Sequence, residues 1–69
     1  MKRIPVSSIN LAEIGYDDTT RTLEVLYRNN SLYQYFDVPK QEYDALKNAA
    51  SKGQYLSTNI KGRYRYARV

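Results

Sequence analysis

The sequence predicts an α+β domain: a three-stranded antiparallel meander packed against one main helix and a shorter second helix. Three observations carry that expectation. Residues 11–37 alternate apolar and polar side chains with the period of two that a half-buried strand requires. From Pro39 onward the apolar residues recur at helical spacing instead. Turn-forming clusters (Asp17 to Thr20, Asn29-Asn30, and Ser51-Lys52-Gly53) separate the segments.

The first strand is expected over Leu11–Asp17, with Ala12, Ile14 and Tyr16 on one face. Asp17-Asp18-Thr19-Thr20 reads as a turn, because short polar side chains bond their own backbone there. Thr22–Arg28 forms the second strand, with Leu23, Val25 and Tyr27 on one side, and Ser31–Asp37 the third. The loop at Asn29-Asn30 decides where the tyrosines of that third strand point. A two-residue turn pairs residue 28 with 31 and turns Tyr33 and Tyr35 away from Leu23, Val25 and Tyr27. A three-residue loop with Asn30 in the left-handed region puts all five on one face. Asn tolerates that conformation, and the second register gathers an apolar face for a helix to cover. It is the preferred expectation.

Val38-Pro39 ends the strand, and Pro39 suits a first helical turn because its missing N–H costs nothing there. Glu42 and Asp44 sit near the positive end of the helix dipole. Tyr43, Leu46, Ala49 and Ala50 form the inward stripe of a helix over residues 39–50, leaving Lys40, Lys47 and Asn48 outward. Gly53 marks its stop. A shorter helix over residues 54–60 buries Leu56 and Ile60 before Gly62 releases a basic tail. The expected core is Leu23, Val25, Tyr27, Tyr33, Tyr35 and Leu46.

Sixty-nine residues make a single domain, residues 1–69, near the lower size limit for folding on a hydrophobic core alone. Cysteine and histidine are both absent, so the core has no disulfide, and neither a metal site nor a cofactor is expected. Eight tyrosines fill the gap, since each ring buries roughly 150–250 Å² while its hydroxyl reaches a polar partner. No apolar run approaches the roughly 20 residues of a membrane span, and Met1-Lys2-Arg3 leads into a polar stretch without a signal-peptide core. The expected location is cytoplasmic, with no membrane partner.

Charge is the strongest functional signal. Every acidic residue lies at or before Asp44, whereas Lys47, Lys52, Lys61, Arg63, Arg65 and Arg68 follow it, so residues 1–44 carry −2 and residues 45–69 carry +6. The stretch from Lys61 to Arg68 interleaves tyrosines with these cations, a pairing that suits phosphate-bearing partners. Without histidine there is no His-based proton relay. The glycines at 15, 53 and 62 are too scattered for a phosphate loop, and Asp17-Asp18 reads as a solvated turn. Catalysis is not expected.

Taken in order, Val6-Ser7-Ser8, Ile14-Gly15-Tyr16-Asp17, Leu23-x-Val25-x-Tyr27, Tyr33-x-Tyr35, Val38-Pro39, Tyr43, Ser51-Lys52-Gly53-x-Tyr55, Ile60-Lys61 and Tyr64 resemble the KTSC domain. That family is named for its occurrence at the C-terminus of some lysyl-tRNA synthetases and also occurs as a free-standing small protein in bacteria and their viruses. The resemblance covers nearly the whole chain. Its Tyr-x-Tyr falls on Tyr33 and Tyr35, and many members carry glycine where this chain has Asn30, as the left-handed position implies. The synthetase context implies RNA binding.

The expected function is therefore a non-catalytic module that binds nucleic acid, RNA more than DNA. Lys52, Lys61, Arg63, Arg65 and Arg68 would contact phosphates, and Tyr55, Tyr64 and Tyr66 would stack on bases. Two alternatives use the same residues. One is a protein-interaction module docking on an acidic protein surface, such as a phage protein acting on a host partner. The other is a small-nucleotide binder, which requires a recessed pocket containing Lys61 or Arg63.

Overall fold

The computed structural model describes residues 1–69. Its sheet has five antiparallel strands in sequence order: β1 (Arg3–Pro5), β2 (Leu11–Asp17), β3 (Thr22–Tyr27), β4 (Leu32–Tyr35) and β5 (Tyr66–Arg68). Helices α1 (Lys40–Asn48) and α2 (Lys52–Tyr55) lie between β4 and β5, and α2 runs without a break into a π-helical turn over Leu56–Ile60. The meander thus has two strands more than the three expected. Both additions are three residues long, too short to show more than one alternation. Nor is the C-terminal stretch a released tail. Gly62, at φ +77°, turns the chain back, and β5 pairs with β4 so that Tyr33 faces Arg68 and Tyr35 faces Tyr66.

The Asn29-Asn30 loop adopts the three-residue form. Asn30 has φ +71°, its N–H donates to the Tyr27 carbonyl at 3.0 Å, and the Tyr27 N–H donates to the Ser31 carbonyl at 2.9 Å. Leu23 therefore pairs with Tyr35 and Val25 with Tyr33, placing all four on one face. In β2 the outcome differs from expectation. The register slips between Leu11 and Glu13, leaving Ala12 as a bulge and rotating Leu11 onto the face of Ile14. Leu11 is fully buried there, and Ala12 is not.

That inner face supplies Leu11, Ile14, Leu23, Val25 and Tyr35 to the core, joined by Val38, Leu46, Leu56 and Ile60. Each such aliphatic side chain contributes about 1.5–3 kcal/mol on full burial. Tyr27 and Tyr33, also expected in the core, are only half-buried at its rim. Helix α1 lies at the Asp17 end of β2, where the Tyr43 ring stacks on Tyr16 at 5.1 Å and 13°. Lys40, Lys47 and Asn48 face solvent. The helix stops at Asn48 because Ala49 is extended, so Ala50 is exposed and does not continue the inward stripe. The second helical segment lies at the other end of β2, with Gly53 beside Ser8 and Asn10.

The outer face carries a polar network. Arg3 donates to Glu13 at 2.8 Å and to Glu24 at 2.5 Å, and Gln34 donates to Glu24 at 2.9 Å. Glu24 is only 6% exposed. Burial alone would raise its pKa, but the hydrogen bonds from Gln34 and Arg3 and the Arg3 charge outweigh it and hold the carboxyl below its ordinary value. Gly15 is required opposite Arg3, since a Cβ there would come within 2.9 Å of the Lys2 carbonyl oxygen.

Candidate nucleic-acid interface

The two helical segments leave the β4–β5 end of the inner face open. Strand alternation and the 33–68 and 35–66 pairings place Tyr33, Tyr35, Tyr66 and Arg68 together there, with Tyr27 from β3 alongside. The rings form a continuous tyrosine basin. Tyr27 meets Tyr33 edge-on at 5.4 Å, while Tyr66 lies 5.9 Å from Tyr33 and 5.8 Å from Tyr35. Together with Asn29, Ser31, Lys61 and Gly62 they line an open concavity of about 560 Å³. Tyr35 closes its floor and is 2% exposed, whereas Tyr66 at the outer wall is 61% exposed.

Two cations bracket the basin. The Lys61 ammonium lies 5.9 Å from the Tyr27 ring centre, and the Arg68 guanidinium 6.0 Å from that of Tyr33. Arg68 also donates to the Ser31 hydroxyl at 3.1 Å. Arg63, on the turn leading to β5, is exposed and makes no side-chain hydrogen bond or ion pair. Arg65 is differently engaged, donating to Asp37 at 2.7 Å beside the Phe36 ring.

Burial first, and then the neighbouring Tyr27, push the Tyr35 phenol well above its ordinary value, so it stays protonated. The Tyr27 hydroxyl is buried without a hydrogen-bond partner.

Not all the expected site residues converge. Lys61 and Tyr66 line the basin, Arg68 lies beside its Tyr33 ring, Arg63 and Arg65 flank it, and Lys52, at the start of α2, instead donates to the Ala49 carbonyl at 3.1 Å. Tyr55 and Tyr64 serve the scaffold. Both pack against the core and donate their hydroxyls to the Glu42 carboxylate, Tyr64 at 2.8 Å. Their phenols are held above the ordinary value, Tyr55 chiefly by that hydrogen bond and Tyr64 chiefly by burial. Glu42 thereby ties α1 to the second helix and to the turn before β5. Conversely, Tyr33, Tyr27, Asn29 and Ser31 belong to the concavity although sequence reasoning assigned Tyr27 and Tyr33 to the core, Asn29 to the turn and Ser31 to the start of the third strand. The one signal was the single alternation Tyr66-x-Arg68, which suits a strand that carries the sheet one step further.

Comparison with known proteins bears on this geometry. The KTSC domain model matches residues 7–64. The chain belongs to the KTSC domain family. A solved KTSC domain protein from Yersinia pestis superposes with a TM-score of 0.96 at 37% identity, covering 99% of this chain and 96% of that one. A lysine–tRNA ligase of Trichormus variabilis is 41% identical over 59 residues, which cover 86% of this chain and 10% of the ligase. An uncharacterized protein of Stutzerimonas stutzeri is 37% identical over 70 residues, covering 100% of this chain and 99% of its own. This KTSC domain thus spans about a tenth of the ligases it matches, and nearly the whole of its small relative. No helix in it is long and apolar enough to cross a membrane.

Proposed function

We propose that this KTSC domain is a non-catalytic RNA-binding module whose contact surface is the tyrosine basin and its basic rim. The observation that carries the reading is the uncovered β4–β5 face, where Tyr33 and Tyr66 lie between Lys61 and Arg68. Aromatic faces stack on unpaired bases, at about 1–3 kcal/mol each, while flanking cations hold the backbone. Arg63 extends the rim with a guanidinium that no carboxylate occupies, unlike Arg65. Relatives named for a tRNA ligase lend support, since their substrate is an RNA.

The test is fluorescence anisotropy with labelled single-stranded RNA across a salt series. Contacts from Lys61, Arg63 and Arg68 give a log–log slope of about −2, at about −0.7 per phosphate. Arg63→Gln flattens the slope by one such step without lowering the melting temperature, because exposed charges contribute little to stability. No binding at low salt rejects the reading and moves the balance to a protein partner. A second reading, capture of a free nucleotide, draws on the presence of Lys61 in the concavity itself. Displacement of bound RNA by a nucleoside monophosphate would favour it.

A further inference from the structure

The basin is one end of a longer groove. At Tyr27, Asn29 and Lys61 it opens into a second concavity of about 360 Å³, which Asn10 and Arg28 also line. That one shares Asn10, Arg28, Gly53 and Ser57 with a third, of about 850 Å³, which ends at Ser7, Ser8, Ser51 and Lys52. Two segments that stood out in the sequence, Ser7-Ser8 and Ser51-Lys52-Gly53, meet at this far end and take no part in the basin. No aspartate or glutamate lines any of the three concavities.

The cations of the groove are held in place but left unpaired. Ser8 Oγ accepts the N–H groups of Asn10 and Leu11, both at 3.3 Å, which fixes the loop before β2. Arg28 is pinned to that loop, its backbone N–H donating to the Asn10 carbonyl at 2.9 Å and its Nε to the Ser8 carbonyl at 2.7 Å. The two terminal nitrogens of its guanidinium have no partner in the protein. Lys52 gives one proton to the Ala49 carbonyl, and an ammonium has three. Carboxylates pair instead with Arg3, Lys40, Lys47 and Arg65. Of the cations left unpaired, Arg28, Lys52 and Lys61 line the groove, Arg63 and Arg68 stand beside the basin, and only Lys2 and Arg21 lie elsewhere. A recess walled by one sign of charge concentrates its field on whatever lies inside.

We infer that an RNA strand seated in the basin continues along this groove, its next phosphates held by Arg28 and then Lys52, so that the site is a track of about four nucleotides. A single strand suits both parts at once, with a π-face for the basin and a charge at each step along the groove. The aromatic rings are confined to the basin end, so the groove grips the backbone and adds affinity without reading sequence. The inference rests on the RNA-binding reading and extends it from one platform to a path.

The experiment measures the salt dependence of anisotropy for oligouridines of three and ten nucleotides, on the wild-type domain and on Arg28→Gln, Lys52→Gln and Lys40→Gln. On the ten-mer, Arg28→Gln and Lys52→Gln should each flatten the log–log slope by about 0.7, one phosphate contact. The trimer cannot span from the basin to the far end, so Lys52→Gln should change its slope much less. Lys40, on α1 at the opposite end of the sheet and paired with Asp44, controls for the loss of one charge anywhere, and Lys40→Gln should leave the slope in place. Arg28→Gln also breaks the bond to Ser8, so Arg28→Lys, which keeps the charge, should restore the slope. Lys52→Gln tests the far end independently of that loop, and melting temperatures confirm that each variant is folded. A ten-mer slope unmoved by Arg28→Gln and Lys52→Gln, or moved equally by Lys40→Gln, would overturn the inference and leave binding at the basin standing. Failure of both strands to bind at low salt would remove both.

Discussion

The inner face of the sheet has two regions built from the same alternation and put to different ends. Across β2 and β3, Ile14, Leu23 and Val25 are fully buried. Across β4 and β5, Tyr33 is half-buried and Tyr66 stands mostly in solvent. Composition shifts with it: the buried inner-face side chains of β2 and β3 are aliphatic, whereas β4 and β5 bring Tyr33, Tyr35 and Tyr66 to that face. Geometry explains the boundary. Five strands at about 4.8 Å spacing make a sheet about 19 Å wide, while a helix with its side chains is roughly 10–12 Å across. Here the two helical segments pack toward opposite ends of β2, one at Tyr16 and the other near Asn10, and the concavity at the β4–β5 edge is lined by no residue of either α-helix. Alternation specifies which face a residue joins. Whether that face is dry depends on what lies over it.

Breaking the covered region should have the largest effect. Leu46→Asp buries a charge with no partner under α1 and should leave the domain unfolded, whereas Lys47→Asp, one residue along and in solvent, should cost no more than about 1 kcal/mol. Thermal melts of the two variants test the helical phase, and equal tolerance would refute it. Across the boundary, Tyr35→Ala should cost about 3–5 kcal/mol, a large share of a small domain's stability. Tyr66→Ala, its cross-strand partner, should cost about 1 kcal/mol or less and act on RNA affinity instead. If Tyr66→Ala melted as Tyr35→Ala does, the basin would be core and the proposed surface would vanish.

The smallest effect belongs to the outer face. Glu24 has a lowered pKa in the fold, so its stabilisation is present above the ordinary carboxylate range and is lost as pH falls through the folded value. The stability difference between the wild-type domain and Glu24→Gln should therefore be greatest near neutrality and shrink below about pH 4. A difference independent of pH would show that the Arg3 and Gln34 bonds do not depend on the Glu24 charge.

Much of the covered region was legible from sequence. Asn30 disclosed the hairpin register, because few residues other than glycine accept φ +71° as readily. Tyr43 and Leu46 disclosed the phase of α1. The Ala12 bulge was not legible, because nothing local distinguishes an inserted residue from a regular one. The candidate site was legible in chemistry and not in place. Lys61, Arg68 and Tyr66 stood out by type, but their company with Tyr33 depends on a pairing between residues 33 and 68. Glu42 was similarly opaque. A glutamate in a first helical turn reads as a dipole partner, and its phenolic partners lie 13 and 22 residues away.

The closing strand β5 is only three residues long, sits at the edge of the sheet, and pairs with residues that precede it by 31 and 35 positions. So few ladder bonds at a sheet edge place β5 at the weak end of the molecule's cooperativity. Fraying of Tyr66 and Arg68 would remove the basin's outer wall without disturbing Ile14, Val25 and Leu46, and faster amide exchange at residues 66–68 than at Val25 would reveal it. The proposed surface is complete only where the last residues of the chain pair with β4, so its integrity hangs on a different set of bonds from those that hold the core.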